Sequence, residues 1–127
     1  MNTYSDLIRA LKQNAAFSGG SGFFLLLLPE LVARFLGLGA PWFFQALGVG
    51  LLLFALDLIH QTRQVKPSPL RAMSSALADF AWVLGTAVVL LFWGKDIAIQ
   101  GWVALVVIAI IVAQFGIRQW RGARAIR

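Results

Sequence analysis

From Ile97 to Ile117 the chain runs without one charged side chain, and a helix over that run, at 1.5 Å per residue, is about 31 Å long. A bilayer's hydrocarbon core is about 30 Å thick. Inside it no water is present to satisfy backbone N–H and C=O groups, so such a segment must close its own hydrogen bonds as a helix. Composition says the same of the whole chain. In 127 residues, 60% are hydrophobic and 13% charged, with a mean hydropathy of +0.81. A soluble domain carries roughly 25% charge, and so short a chain has too little interior to hide this much apolar surface. The sequence is that of an integral membrane protein. It has no cysteine, which excludes disulfide scaffolds, thiolate metal sites, CxxC redox chemistry and a cysteine nucleophile.

Punctuation divides the chain into four apolar segments. Met1 to Asn14 is amphipathic, with Leu7, Ile8 and Leu11 at helical spacing beside Arg9 and Lys12, and is expected to lie at the membrane interface. The uncharged run Ala15 to Leu28 covers only about 21 Å as a helix. The first span therefore borrows from the Leu11 side and ends near Pro29, because proline disfavours helical backbone at the residue before it. An interfacial turn then carries Glu30 and Arg34. Pro41 suits a helix start and opens the second span, to His60. The polar loop RQVKPSP separates it from the third, and Gly94-Lys95-Asp96 separates the third from the fourth. The expectation is an all-α, four-span, up-and-down bundle, one domain over residues 1–127. Its spans lie at about 11–29, 41–60, 71–93 and 97–117, and a basic tail fills 118–127.

A net charge of +6 would suggest nucleic acid for a soluble protein. In a membrane protein basic residues first report topology. With both termini on one side, Arg9, Lys12, Arg63, Lys66, Arg71, Arg118, Arg121, Arg124 and Arg127 share it, against Arg34 and Lys95 opposite, nine to two. The positive-inside rule then puts both termini in the cytoplasm of a cell with an inner membrane. A cleaved leader is not expected, since the basic residues come late and no A-x-A site follows Leu28. Trp42, Trp93 and Trp102 fall at the outer ends of the spans and Trp120 at the inner end, as an aromatic belt would. Trp82 alone sits in mid-span.

Polar residues inside the apolar spans are the candidate site, because an ionisable group there costs at least about 2.5–3.5 kcal/mol on insertion scales. Asp57 and Asp79 lie about 10 and 15 Å from the loop that joins their helices. Arg71, Ser75, Asp79, Trp82 and Thr86 recur at helical steps and share one face. Asp57, His60 and Gln61 share another. Asn14 and Ser18 open the first span, and Gln114 stands one turn inside the end of the fourth. The polar groups thus gather in the cytoplasmic half, where function is to be sought. Asp57, Asp79, His60, Trp82, Asn14, Ser75 and Gln114 form the cluster. It would either bind a cation or relay a proton, with Trp82 as a cavity wall, or fix helix order by interhelical hydrogen bonds. The structural pairings would join Asp57 to Asn14 or Arg63, and Asp79 to Ser75, Arg71 or Gln114.

Small residues form a second signal. Ser18-Gly19-Gly20-Ser21-Gly22, Ala46 with Gly50, and Ala81 with Gly85 permit close helix approach, within the chain or between copies. The glycine run lacks the GK[ST] element of a phosphate loop. The lone His60 makes no metal site, no catalytic triad is credible without an elbow motif, and no cofactor is expected. The tail RQWRGARAIR suits anionic lipid rather than nucleic acid.

With LLLLPELVARFLGL as a proline-containing connection and ALGVGLLLFALDLI as its second helix, the chain resembles DoxX-like proteins in layout. That resemblance implies a small four-span inner-membrane architecture and carries no residue roles. Small multidrug transporters place a glutamate in their first helix, where this chain has no acid between Asp6 and Glu30. Fluoride channels follow their glycines with arginine, which FSGGSGFFLLLL lacks. The expected function is a non-enzymatic accessory or assembly subunit that packs against other membrane proteins or itself. The alternative is an oligomeric small-solute or ion transporter that uses Asp57 and Asp79.

Overall fold

A computed structural model describes residues 3–126, so Met1, Asn2 and Arg127, the ends of the expected N-terminal segment and basic tail, lie outside the described residues. The fold is all-helical: α1 (Thr3–Leu27), α2 (Pro29–Leu36), α3 (Pro41–Thr62), α4 (Pro69–Trp93), a 3₁₀ turn at Gly94–Asp96 and α5 (Ile99–Ala125). Three helices, α3, α4 with its following turn, and α5, are long and apolar enough to cross a membrane; a fourth span results if α1 and α2 count as one, bent by 94°.

Local chemistry sets the breaks. Pro29 stands at the start of α2, and Gly37 ends that helix in left-handed backbone at φ 79°, a conformation glycine adopts at no steric cost. Ser68 caps α4, its hydroxyl oxygen accepting from the Arg71 backbone N–H, and Pro69 follows in the first turn, where no N–H is needed. The 3₁₀ turn delays α5 to Ile99, two residues beyond the expected start.

Both terminal segments, as far as they are described, are helical and packed. The N-terminal stretch is the first part of α1, with Leu7 and Leu11 fully buried against Leu58, Ala72 and Ala123. The basic segment 118–127 is not set off from the last span. Through Ala125 it continues α5, and Gln119 and Ala123 are fully buried. The buried positions recur at helical steps, Leu7 with Leu11 and Gly116, Gln119 and Ala123, among the charges of both segments.

Helix pairing follows the small residues only in part. The α1–α3 contact is the most extensive, followed by α4–α5 and α1–α5, whereas the sequence neighbours α3 and α4 barely touch. Even helix adjacency around an up-and-down bundle is therefore not found. At the α1–α3 crossing Gly22 faces Gly48, and a methyl at Gly48 would stand 2.7 Å from the Gly22 carbonyl oxygen. Gly116 admits the ring of Phe80 between α4 and α5. By contrast, Gly50 and Gly85 have open space beside them, and Ala46 and Ala81 face outward. Those two small-xxx-small patterns make no helix contact.

Both ends of the bundle are tied. The end that carries the α3–α4 loop and most basic residues holds the core of Leu7, Leu11, Ala15 and Leu58. At the opposite end α2 buries Ala33 and Leu36, and the backbone N–H of Ala98 donates to the Leu36 carbonyl at 2.8 Å. Gln100 Nε2 donates to the Phe35 carbonyl at 2.9 Å. Here too Trp102 Nε1 donates to the Gly94 carbonyl at 2.8 Å, while Trp42 and Trp93 are exposed, as interfacial rings would be.

Overpacking a tight contact costs about 1–3 kcal/mol, while Gly to Ala in an open helix gains up to about 1 kcal/mol. Gly48→Ala is therefore expected to lower stability to denaturant in mixed micelles, and Gly85→Ala to leave it unchanged or raise it.

Candidate functional site

Two polar networks occupy the basic half. The first joins three helices through one amide. Asn14 Nδ2 donates to both oxygens of Asp79, at 2.9 and 3.2 Å, and to Gln119 Oε1 at 2.6 Å, while Asn14 Oδ1 accepts from the Ser18 hydroxyl at 3.0 Å. All four residues are at least nine-tenths buried, Asp79 to 3% exposure. A single turn of α1 thus grips α4 and α5 together.

The second network joins α3 to α4 beside their loop. Arg71 Nη2 meets Asp57 Oδ1 at 2.7 Å. Its Nη1 lies 3.1 Å from His60 Nδ1; because a guanidinium only donates, that ring nitrogen accepts. Gln61 Nε2 donates to Asp57 Oδ2 at 2.9 Å and to the Ser75 hydroxyl at 2.7 Å, and Ser75 donates onward to the Arg71 carbonyl at 3.1 Å. The ion pair is half-exposed, 38% for Arg71 and 50% for Asp57, and where water reaches it such a pair is worth about 0–1 kcal/mol. It joins α3 to α4 only near their loop.

The seven expected residues therefore separate into groups. Asn14 and Asp79 meet, as do Asp57, His60 and Ser75. Asp57 pairs with Arg71 rather than with Asn14 or Arg63, and Asp79 with Asn14 rather than with Ser75, Arg71 or Gln114. Gln114 is exposed, and its expected place is taken by Gln119, five residues on. The miss has a plain cause: with α5 ending the chain as a continuous helix, the inward face at that level lies below the assumed end of the span. Gln61 was visible as a neighbour of Asp57, but its reach to Ser75 was not.

Neither network is fully satisfied. Among the described residues, Gln61 Oε1 and Gln119 Nε2 are buried without a hydrogen-bond partner. An unpaired buried amide atom costs about 1–3 kcal/mol.

Above the first network, toward α2, lies a cavity of about 860 Å³. Asp79 and Ser18 line its floor, Trp82 forms one wall as expected, and Phe17, Phe24, Phe54, Leu105 and Ile108 line the rest. Leu31 and Phe35 of α2 close the far end. Gly50 and Ala78 line the cavity from α3 and α4, two helices that barely touch, and both residues are exposed. The cavity extends along α3 from Phe54 to Phe44, about 15 Å at the helical rise. The polar groups sit in the basic half, and the open volume runs from mid-depth into the other half.

Because an amide oxygen accepts from Asn14 as a carboxylate does, Asp79→Asn is expected to unfold within about 1 kcal/mol of wild type. Asp79→Leu leaves the Asn14 donor one acceptor short and is expected to lose about 1–2 kcal/mol, near the upper measured worth of interhelical hydrogen bonds. Reversible unfolding in mixed micelles measures both.

No protein-family model, no curated protein and no solved structure matches the chain, so the site is interpreted from its own geometry.

Proposed function

We propose that the chain is a four-span protein of a bacterial-type inner membrane, related in layout to DoxX-like proteins, and that it binds rather than transforms. In this reading it is a non-enzymatic accessory protein whose cleft between α3 and α4 seats an apolar occupant entering sideways from the bilayer. The observation that carries this is the cleft itself: a cavity of about 860 Å³, within the roughly 300–1,000 Å³ of small-molecule sites, floored by a carboxylate and otherwise almost wholly apolar.

Charge supports the orientation. Arg9, Lys12, Arg63, Lys66, Arg71, Arg118, Arg121 and Arg124 are at one end, Arg34 and Lys95 at the other, so the first end is cytoplasmic by the positive-inside rule. At that end Arg9, Arg118 and Arg121 line a shallow pocket with Asp6, a placement that suits the anionic headgroups of the cytoplasmic leaflet. The division of the acids argues against a transport path through Asp57 and Asp79 together, because they belong to separate networks and Asp57 is held by Arg71.

Two measurements test the proposal. The chain has no cysteine of its own, so Lys95→Cys is expected to react with an impermeant thiol reagent from outside the cell and Lys66→Cys only after lysis; the reverse pattern overturns the orientation. A photo-crosslinking side chain at Gly50 or Ala78 is expected to give a discrete, saturable adduct in membranes, and at the lipid-facing Leu91 or Ile110 none. Equal labelling at all four positions overturns the cleft as a binding site.

A further inference from the structure

We infer that the occupant of the cleft is a single small lipophile with a hydrogen-bond-donating head, a hydroxyl or an amine, seated head-down on Asp79. The inference rests on the cleft being a binding site and adds the chemistry of what it holds.

The cleft's length argues against a partner's membrane-spanning helix. Such a helix is about 30 Å long to cross the core, whereas the cavity follows α3 for about 15 Å, from Phe54 to Phe44, and is bounded at both ends. At one end stand the buried Asp79, Asn14 and Ser18. At the other lies α2, fixed by the bonds from Ala98 and Gln100 to its last carbonyls. A spanning helix has no way out at either end, whereas a molecule of ligand size fits between them.

Polarity selects the head. The floor presents a carboxylate whose hydrogen-bonding partner among the described residues is one N–H group, Asn14 Nδ2. A carboxylate has about four acceptor sites, so capacity remains. The Ser18 hydroxyl is spent on Asn14 Oδ1, and the Arg71 guanidinium is spent on Asp57 and His60. With Asp79 ionised, what the floor offers a ligand is acceptance, not donation or positive charge. Anionic heads and heads that only accept are therefore disfavoured. Along the rest of the cavity Phe17, Phe24, Phe54 and Trp82 give a chain or ring system apolar contact without a second polar anchor.

The test uses the intact protein in nanodiscs and four probes of equal chain length: a long-chain alcohol, its methyl ether, the alkylamine and the fatty acid. With the other four tryptophans replaced by phenylalanine, quenching by brominated forms of each reports occupancy beside Trp82. The alcohol or the amine is expected to bind saturably, one per chain, and at least about tenfold tighter than the ether, as one hydrogen bond to a charged group implies; whichever is the tighter identifies the head. Asp79→Asn, which keeps an acceptor, is expected to retain most of that preference, and Asp79→Leu to bring alcohol and ether within twofold of each other. Gly50→Trp, which fills open space at the cleft mouth, is expected to block all probes without unfolding the protein. Equal binding of alcohol and ether to wild type, or preference for the fatty acid, overturns the inference about the head while leaving the cleft as a site. Binding of no probe, with Gly50→Trp indistinguishable from wild type, overturns both. A protein adduct from the crosslinking at Gly50 or Ala78 overturns the small-lipophile assignment alone.

Discussion

One buried amide ties three helices of this bundle at a single point. Lipid tails are as apolar as the side chains they surround, so helices in a membrane gain little from hydrophobic burial and depend on close packing and interhelical hydrogen bonds. The pairs α1–α3 and α4–α5 pack closely through Gly22, Gly48 and Gly116. Between the pairs, Asn14 ties α1 to α4 and α5 from the same nitrogen, beside the Arg71–Asp57 pair near the loop and the bonds from Ala98 and Gln100 to α2 at the other end. The Asn14 contact fixes the halves near their basic end and lets α3 and α4 diverge beyond it. The cleft follows from that divergence: a wedge, narrow at the polar floor and open toward the middle of the membrane.

Much of the helical layout was legible because the signals were local. Proline at 29, 41 and 69 and glycine at 37 act within a few residues of themselves, and the apolar runs between them have membrane-spanning length. The candidate site was legible in its members more than in its pairings. Asp79, Asn14, Trp82 and Ser75 stand out as polar or aromatic groups inside greasy segments. Which of them meet depends on how far each helix is rotated and displaced, a property set by distant contacts such as Leu7 against Gly122. Gln119 was hidden for the same reason: it sits among arginines, where sequence suggests water, yet it is fully buried. The cavity left no local trace, because a gap between helices is a relation among elements, and the open-sided Gly50 looks in sequence like the tightly packed Gly48 two residues before it.

The two carboxylates show how environment divides chemically identical groups. Asp57 has a cation at 2.7 Å and lies close to the loop; its role is to clamp the ends of two helices. Asp79, deeper, leans on an amide and borders open apolar space. A group placed there at the cost of insertion, with acceptor capacity unspent, is suited to selecting a ligand.

The anchoring of α2 also has a consequence for biosynthesis. The carbonyls of Phe35 and Leu36 end a short helix and receive their hydrogen bonds from Gln100 and Ala98, residues that a ribosome adds only after α3 and α4 have been made. Until α5 begins to emerge, the lid of the cleft has no fixed partner and those two oxygens must find water at the membrane surface. The chamber is thus completed last, by α5, and a chain halted after α4 would lack both the α5 wall and the bonds that hold α2 in place.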